Sequence, residues 1–514
     1  MRNWTVAERA EDTSMQRILD VVERVGNRVP HPVIIFVILI VLVILLSHVF
    51  YLMNLSVSYQ VINPETHEVE DATTAAVSLL TIDGIRFMFT GFVSNFMGFN
   101  AVGVIIVAML GVGVAESKGL VKALIRKLVI VAPSWALTYI LVFVGILSSV
   151  AADAGYLVLI PLAAAAFITV GRHPLAGLAA AFAAVAAAFL ANILIVPVDG
   201  ILTEITNDAI ALVNPTISID LTANMWFETA SVVMLTIVIA LITERIVEPR
   251  LGPYGGDFTL EDEGTLSPDE SRGLRFAFFG LILVLVFVGL LTLPEGAPLR
   301  DPETGNIVGN SPFMGSLIVT VALTFLVSGI GYGLGAGTLK STVDIVNAMT
   351  NAIASLSGLI LLLLVISQFI AYFNYSNMAV LAAVSLADIL KTADLAPIWL
   401  LIGFVVVVFI LDLIITGAIP KWAIFAPIFV PLLMRLNVEP EVVLAAYRVG
   451  DSPMNAITPL NAYFAMIVVF AQKYEKDAGV GTVIALMLPY VLILCVVWTL
   501  LLAAWYLLGL PWGL

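Results

Sequence analysis

The sequence predicts an all-α polytopic membrane protein of about nine transmembrane helices plus two oppositely oriented re-entrant hairpins, arranged as an inverted repeat. Three observations carry this expectation. Of the 514 residues, 61% are hydrophobic and only 12% charged, and the mean hydropathy of +1.07 lies far above that of a soluble domain. Two apolar regions are too long for one helix and each has a polar or proline-bearing break in its middle. The basic residues gather on one side of the bilayer only if those two regions turn back instead of crossing.

Residues 1–32 mix arginines and acids without an apolar core, so no cleaved signal peptide is expected and the segment reads as cytoplasmic. The first membrane half, 33–246, has spans near 33–53, 97–115, 174–198 and 226–246, with hairpin 1 at about 133–171. A linker at 247–274 contains FTLEDEGTLSPDES and reads as a solvated cytoplasmic tether. The acids behind the net charge of -14 gather in this linker and in the loops, and nothing in them calls for a nucleic-acid partner. The second half, 275–514, has spans near 275–293, 313–331, 352–373, 441–470 and 481–508, with hairpin 2 at about 397–437. Cys495 is the only cysteine, which excludes an internal disulfide. His31, His48, His67 and His173 are scattered without metal-ligand spacing, so no metal and no zinc hydrolase is expected. GIGYGLGAG, Gly329 to Gly337, follows a span and not a strand, so it reads as a flexible exit into the surface helix TLKSTVDIVNAM.

Charge bias supplies the orientation. The arginines at 2, 9, 17, 24 and 28, Lys118 to Lys127, Arg172, the arginines flanking the linker, Lys473 and Lys476 all fall on one side when the hairpins do not cross. Loops 54–96, 199–225 and 294–312 hold only Arg86 and Arg300, which makes the first side cytoplasmic. Five crossings separate the hairpins, so they enter from opposite faces. A shift of 266 positions then aligns Tyr156 with Trp422, Pro161 with Pro427 and Pro174 with Pro440, as an inverted repeat requires.

Two stretches carry the candidate chemistry. In PKWAIFAPIFVPLL, Pro420, Lys421 and Trp422 are expected at the tip of hairpin 2, where irregular backbone meets protein or water. In EVVLAAYRVGDSPMNAITPLNAY, Arg448, Asp451, Asn455 and Thr458 recur on one helix face, and Arg448 and Asp451, roughly 10 to 15 Å deep, are expected to pair. Pro453 and Pro459 are expected to unwind this helix and free carbonyls for a cation or a solute. The first half offers Asn192, Asp199, Thr203 and Thr206 with a break at Pro197; Asp199 either lines the pathway or ends the span at the outer surface. Asp412 either pairs with Lys421 across the hairpin or acts as a second proton carrier. Asp153, in the first tip, is either a cation ligand or a carboxylate that stabilises the tip.

The run SSVAADAGYLVLIPLAAAAFITVGRHPLAG, the segment PKWAIFAPIFVPLL and the later YRVGDSPMNAITPLNAYF resemble the p-aminobenzoyl-glutamate transporter (AbgT) family over nearly the whole chain. The resemblance implies a homodimer in the bacterial inner membrane that takes up p-aminobenzoyl-glutamate or exports sulfonamide-type antimetabolites on a proton or cation gradient. It also implies that Asp199, Trp422, Pro440, Arg448, Asp451 and Pro459 occupy functional positions. The family usually has asparagine where this chain has Asp412, and a small serine-rich tip where this chain reads TGAIPKW. These readings together predict a secondary active transporter and not an enzyme. Asp199, Asp451 and Asp412 would bind H⁺ or Na⁺, with Na⁺ also conceivable near Asp153; Arg448 and Lys421 would attract an anionic solute and Trp422 would stack on its ring. The rival class is a cation-selective channel, and a second alternative is a transporter of another carboxylate.

Overall fold

The computed structural model describes residues 30–62, 69–130, 132–151, 155–255, 266–308, 311–392, 396–413, 415, 417–458 and 460–514. Asp153 and Pro459 therefore lie outside the described residues, as do the N-terminal arginines. Apart from short helices at Ile82–Thr90, Phe92–Met97 and Pro312–Gly315, the helices in chain order are α1 (Pro32–Leu52), α2 (Asn100–Lys118), α3 (Leu120–Ile130), α4 (Leu137–Leu147), α5 (Ile160–Thr169), α6 (Pro174–Phe182), α7 (Pro197–Ile210) and α8 (Met225–Leu251). After the linker come α9 (Pro268–Thr292), α10 (Leu317–Ala336), α11 (Thr342–Ser355), α12 (Ser357–Tyr375) and α13 (Met378–Thr392). The chain continues through α14 (Pro397–Asp412), α15 (Ala418–Met434), α16 (Pro440–Asp451) and α17 (Phe464–Gln472) to α18 (Val480–Leu507). Among the described residues, the strands are one antiparallel pair, β1 (Ser56–Ile62) with β2 (Val69–Ala75), in the first long loop.

Among the described residues, seven helices, α1, α2, α8, α9, α10, α12 and α18, are long and apolar enough to cross a membrane. The other two crossings are broken helices, α6 with α7 and α16 with α17. α4 with α5, and α14 with α15, form the two hairpins. Proline supplies the punctuation. Pro174, Pro197, Pro397 and Pro440 stand in the first turns of α6, α7, α14 and α16, where the missing N–H has no helical acceptor to lose and the fixed φ suits the helix. The expected span 174–198 is corrected by this geometry. It stops near Ala187 and restarts at Pro197, so the stretch 199–210, expected in a loop, is helix.

α10 packs against both α2 and α9, and these three helices are called the frame. The glycines of GIGYGLGAG are not a flexible exit: Gly329, Gly331, Gly333 and Gly335 lie inside α10, and Gly337 ends the helix in the left-handed conformation (φ 72°). A Cβ on Gly329 would come within 2.7 Å of Cα of Ala115 in α2, and one on Gly331 within 2.7 Å of the Phe276 carbonyl in α9. Small residues let the three backbones approach, which is how helices gain packing energy where lipid offers no hydrophobic drive. The other body gathers both hairpins around α6, α7 and α16, and every residue from Pro174 to Ala188 is buried.

Candidate functional site

The two broken helices meet at their breaks. α6 ends in the alanine run, and the Leu190 N–H donates to Ser452 Oγ at 3.1 Å, while Ser452 Oγ donates to the Arg448 carbonyl. Arg448 Nη1 donates back to the Leu190 carbonyl at 3.3 Å. Asn192 Nδ2 reaches Ser149 Oγ of hairpin 1 at 2.8 Å, and its Oδ1 accepts from the Leu194 N–H. The Leu190 N–H and carbonyl freed by unwinding are thus satisfied by side chains from the opposite half, and the Leu194 N–H by one from its own, as membrane burial requires.

Around this crossing sit two charge clusters. In the first, Arg448 Nη1 donates to Asp199 Oδ1 at 2.7 Å and lies 3.1 Å from Glu228 Oε1, while its Nε donates to Asn224 Oδ1 at 3.3 Å. Asp199 also anchors backbone, because its Oδ2 accepts the Val196 N–H at 2.8 Å and so fixes the start of α7. Asp199 is buried, not a cap at the outer surface. The expected pairing of Arg448 with Asp451 is also corrected. Although three positions apart on one helix, the two side chains serve different clusters, because each finds a better partner on another element.

The second cluster centres on Lys421, in the first turn of α15. Its Nζ pairs with Asp412 Oδ1, at the end of α14, and with Asp451 Oδ1 at 2.7 Å. Tyr447 Oη donates to the same Asp451 oxygen at 2.6 Å and lies 2.5 Å from the Ala418 carbonyl. Asp412, Lys421 and Asp451 each have 0% exposure, so pairing is the only way to hold these charges in the membrane interior. Of the two readings of Asp412, the geometry places it in an ion pair with Lys421.

Trp422 is buried with its face on Tyr447, ring centroids 4.6 Å apart, and Nε1 donates to Thr206 Oγ1 at 3.0 Å and the Leu202 carbonyl at 3.2 Å. In this conformation Trp422 and Lys421 are both fully buried against protein partners. Asn455 Nδ2 donates to the Asp451 carbonyl at 2.9 Å, and Thr458 Oγ1 lies 3.4 Å from the Leu413 carbonyl, so both bridge the unwound stretch. Thr203 is buried in α7. Pro197 and Pro453 stand at the breaks, but Pro420 and Pro440 open intact helices.

Sequence reasoning missed Glu228, Asn224 and Tyr447. Glu228 carried a usable signal, an acid inside the apolar run MWFETASVVM. Asn224 and Tyr447 carried none, since each is one of many such residues near a span end. An apolar cavity of about 1020 Å³ lies beside the unwound segment Ile193–Ile195, bordered by Phe278 and Phe325 of the frame and by Lys127 and Arg275.

This arrangement of broken helices and hairpins has close counterparts. The family model described as "AbgT putative transporter family" matches residues 17–514. The "p-aminobenzoyl-glutamate transport protein" of Escherichia coli (strain K12) is 36% identical over 493 residues, covering 96% of this chain and 95% of that protein. The crystal structure of the Alcanivorax borkumensis YdaH transporter, described as having an unusual topology, superposes with a TM-score of 0.87 at 41% identity, over 94% of this chain and 100% of that one. Neisseria gonorrhoeae MtrF, whose structure is described as illuminating a class of antimetabolite efflux pumps, superposes with a TM-score of 0.90 at 40% identity, over 97% and 99%.

Proposed function

The chain belongs to the AbgT family of transporters, and on that premise we propose that it is a secondary active transporter that couples an H⁺ or Na⁺ gradient to the movement of an aromatic, carboxylate-bearing solute. The observation that carries this reading is the charge count of the two buried clusters. Arg448 faces Asp199 and Glu228, and Lys421 faces Asp412 and Asp451: one cation against two carboxylates in each. With every group ionised, each cluster holds one surplus negative charge where charge is costly, and one H⁺ or Na⁺ restores neutrality. Loading and unloading that cation changes which pairs hold the two breaks together, which is the switch alternating access needs.

The solute class draws on different support. The cavity beside Ile193–Ile195 offers aromatic walls with Lys127 and Arg275 on its border, a combination suited to an aromatic anion. The related proteins are named for p-aminobenzoyl-glutamate transport and for antimetabolite efflux. In this reading the hairpin body moves against the α2, α9 and α10 frame within a homodimer in the bacterial inner membrane, with the N-terminus cytoplasmic.

Flux of radiolabelled p-aminobenzoyl-glutamate and of a sulfonamide in proteoliposomes, with pH and Na⁺ gradients imposed separately, tests the proposal. Saturable movement of either solute that follows one gradient is the expected result, and Asp412→Asn, which removes one surplus charge, should weaken the coupling. Ohmic ion current without solute movement would make the protein a channel.

A further inference from the structure

We propose that the Lys421 ammonium is a tethered cation occupying a site that Asp412 and Asp451 would otherwise offer to a free monovalent cation, so that this cluster is indifferent to Na⁺ and cycles by taking up one proton. The inference rests on the transporter reading but concerns the occupant of one site. Two features carry it.

The carboxylates outnumber what the ammonium uses. Both ion pairs engage Oδ1 atoms, and Tyr447 adds its hydrogen bond to Oδ1 of Asp451. Among the described residues no partner reaches Oδ2 of Asp412 or Oδ2 of Asp451, and both oxygens are fully buried. Two carboxylates that converge on one point with lone pairs to spare have the donor chemistry of a site for a hard cation. The cation that fills it is covalently attached, on a four-carbon stem from the first turn of α15, and so needs no recruitment from solution.

The surroundings leave the exchange to this triad. Asp412 comes from α14, and Asp451 and Tyr447 from α16. α7, packed on α15, meets the neighbouring Trp422 through Thr206 and the Leu202 carbonyl; its Asp199 is committed to Arg448, its Glu204 bonds Asn100 of α2, and its Asp208 neighbours Glu204. α13 meets α15 through Ala383, Ala387 and Leu432, and its Asp388 lies by Arg435 at the far end of α15. The acid–base side chains of α12 are Tyr372 and Tyr375. One proton added to a carboxylate oxygen of Asp412 or Asp451 leaves one ammonium with one carboxylate, and the cluster is neutral; losing that proton to the opposite side restores the starting charge.

The test reads cation binding through thermal stability of the purified, detergent-solubilised protein, so it does not depend on solute flux, and a failed flux assay and a failed site are told apart. Melting temperatures are compared in NaCl and in choline chloride at equal ionic strength. Lys421→Arg should shift with Na⁺ by the same amount as the wild type, whose remaining response belongs to the Arg448 cluster. Lys421→Ala should gain an upward shift that grows with Na⁺ concentration, and the shift should shrink in Lys421→Ala/Asp412→Asn. A wild type stabilised by Na⁺ as strongly as Lys421→Ala, or a folded Lys421→Ala indifferent to Na⁺, would overturn the proposal. If Lys421→Ala cannot be recovered in either salt, Asp412→Asn decides. Its melting temperature should vary less with pH than that of the wild type, because the surplus charge is gone, and an unchanged pH profile would overturn the proposal.

Discussion

The two hairpins and the helices that follow them share a geometry and differ in chemistry. Where the second half has Tyr447, Arg448 and Asp451, the positions 266 earlier are Ala181, Phe182 and Val185, all buried. Lys421 has Gly155 as its counterpart, and Asp412 has the buried Ile146. The contact itself is kept: a Cβ on Gly155 would lie 3.0 Å from a methyl of Val185, just as Lys421 meets Asp451. One half therefore closes this contact with apolar packing, and the other with an ion pair that a proton can loosen. The comparison teaches that the second half carries most of the charges of the proposed switch, while the first supplies apolar packing and two acids, Asp199 on α7 and Glu228 on α8.

The sharpest way to break this comparison is at the matched positions 182 and 448. Arg448→Ala leaves Asp199 and Glu228 buried without their cation and should cost about 3–5 kcal/mol, read as a lowered melting temperature, and abolish gradient-driven flux. Phe182→Ala should destabilise to a similar extent by opening a cavity, about 3–5 kcal/mol, yet the protein that folds should still couple flux to the gradient. Equal loss of coupling in both would erase the distinction between the halves.

A smaller effect belongs to the tip of hairpin 2. Trp422→Phe keeps the stack on Tyr447 but removes the Nε1 donor; Thr206 Oγ1 still donates to the Leu202 carbonyl at 2.7 Å, so the loss should be near 1 kcal/mol. Trp422→Ala should cost several-fold more and lower the melting temperature, because the ring is core as well as candidate solute contact. A Trp422→Ala protein with wild-type stability would show that the stack is not maintained.

The smallest effect lies away from both hairpins and both charge clusters, at the surface helix α11. Asp344 accepts the Lys340 and Ser341 N–H groups at 2.8 and 2.9 Å, and these bonds hold its carboxyl below the ordinary value of 3.8. A group depressed on folding stabilises above its unfolded pKa and loses that contribution as pH falls through the folded value. Asp344→Asn should therefore lower the melting temperature slightly at neutral pH, and the difference from wild type should vanish in acid. It should leave coupling untouched, which makes it the control for the buried acids.

Much of this arrangement was legible in the sequence. Hydropathy located the spans, overlong apolar runs exposed the hairpins, and Pro197 and Pro453 marked the breaks, because each signal is local to its element. The pairings were not legible. Asp199 and Arg448 are 249 positions apart, and helical spacing pointed Arg448 toward Asp451 because it sees only neighbours on the same helix. The glycines of α10 misled for the same reason: a glycine run looks flexible until another backbone occupies the space beside it.

The most direct test of the charge switch separates exchange from accumulation in proteoliposomes holding Asp199→Asn. If the Arg448 cluster couples solute movement to the cation gradient, the variant should still exchange labelled p-aminobenzoyl-glutamate for unlabelled solute across the bilayer. It should fail to accumulate solute when the gradient that drives the wild type is imposed. Accumulation undiminished in Asp199→Asn would contradict the account.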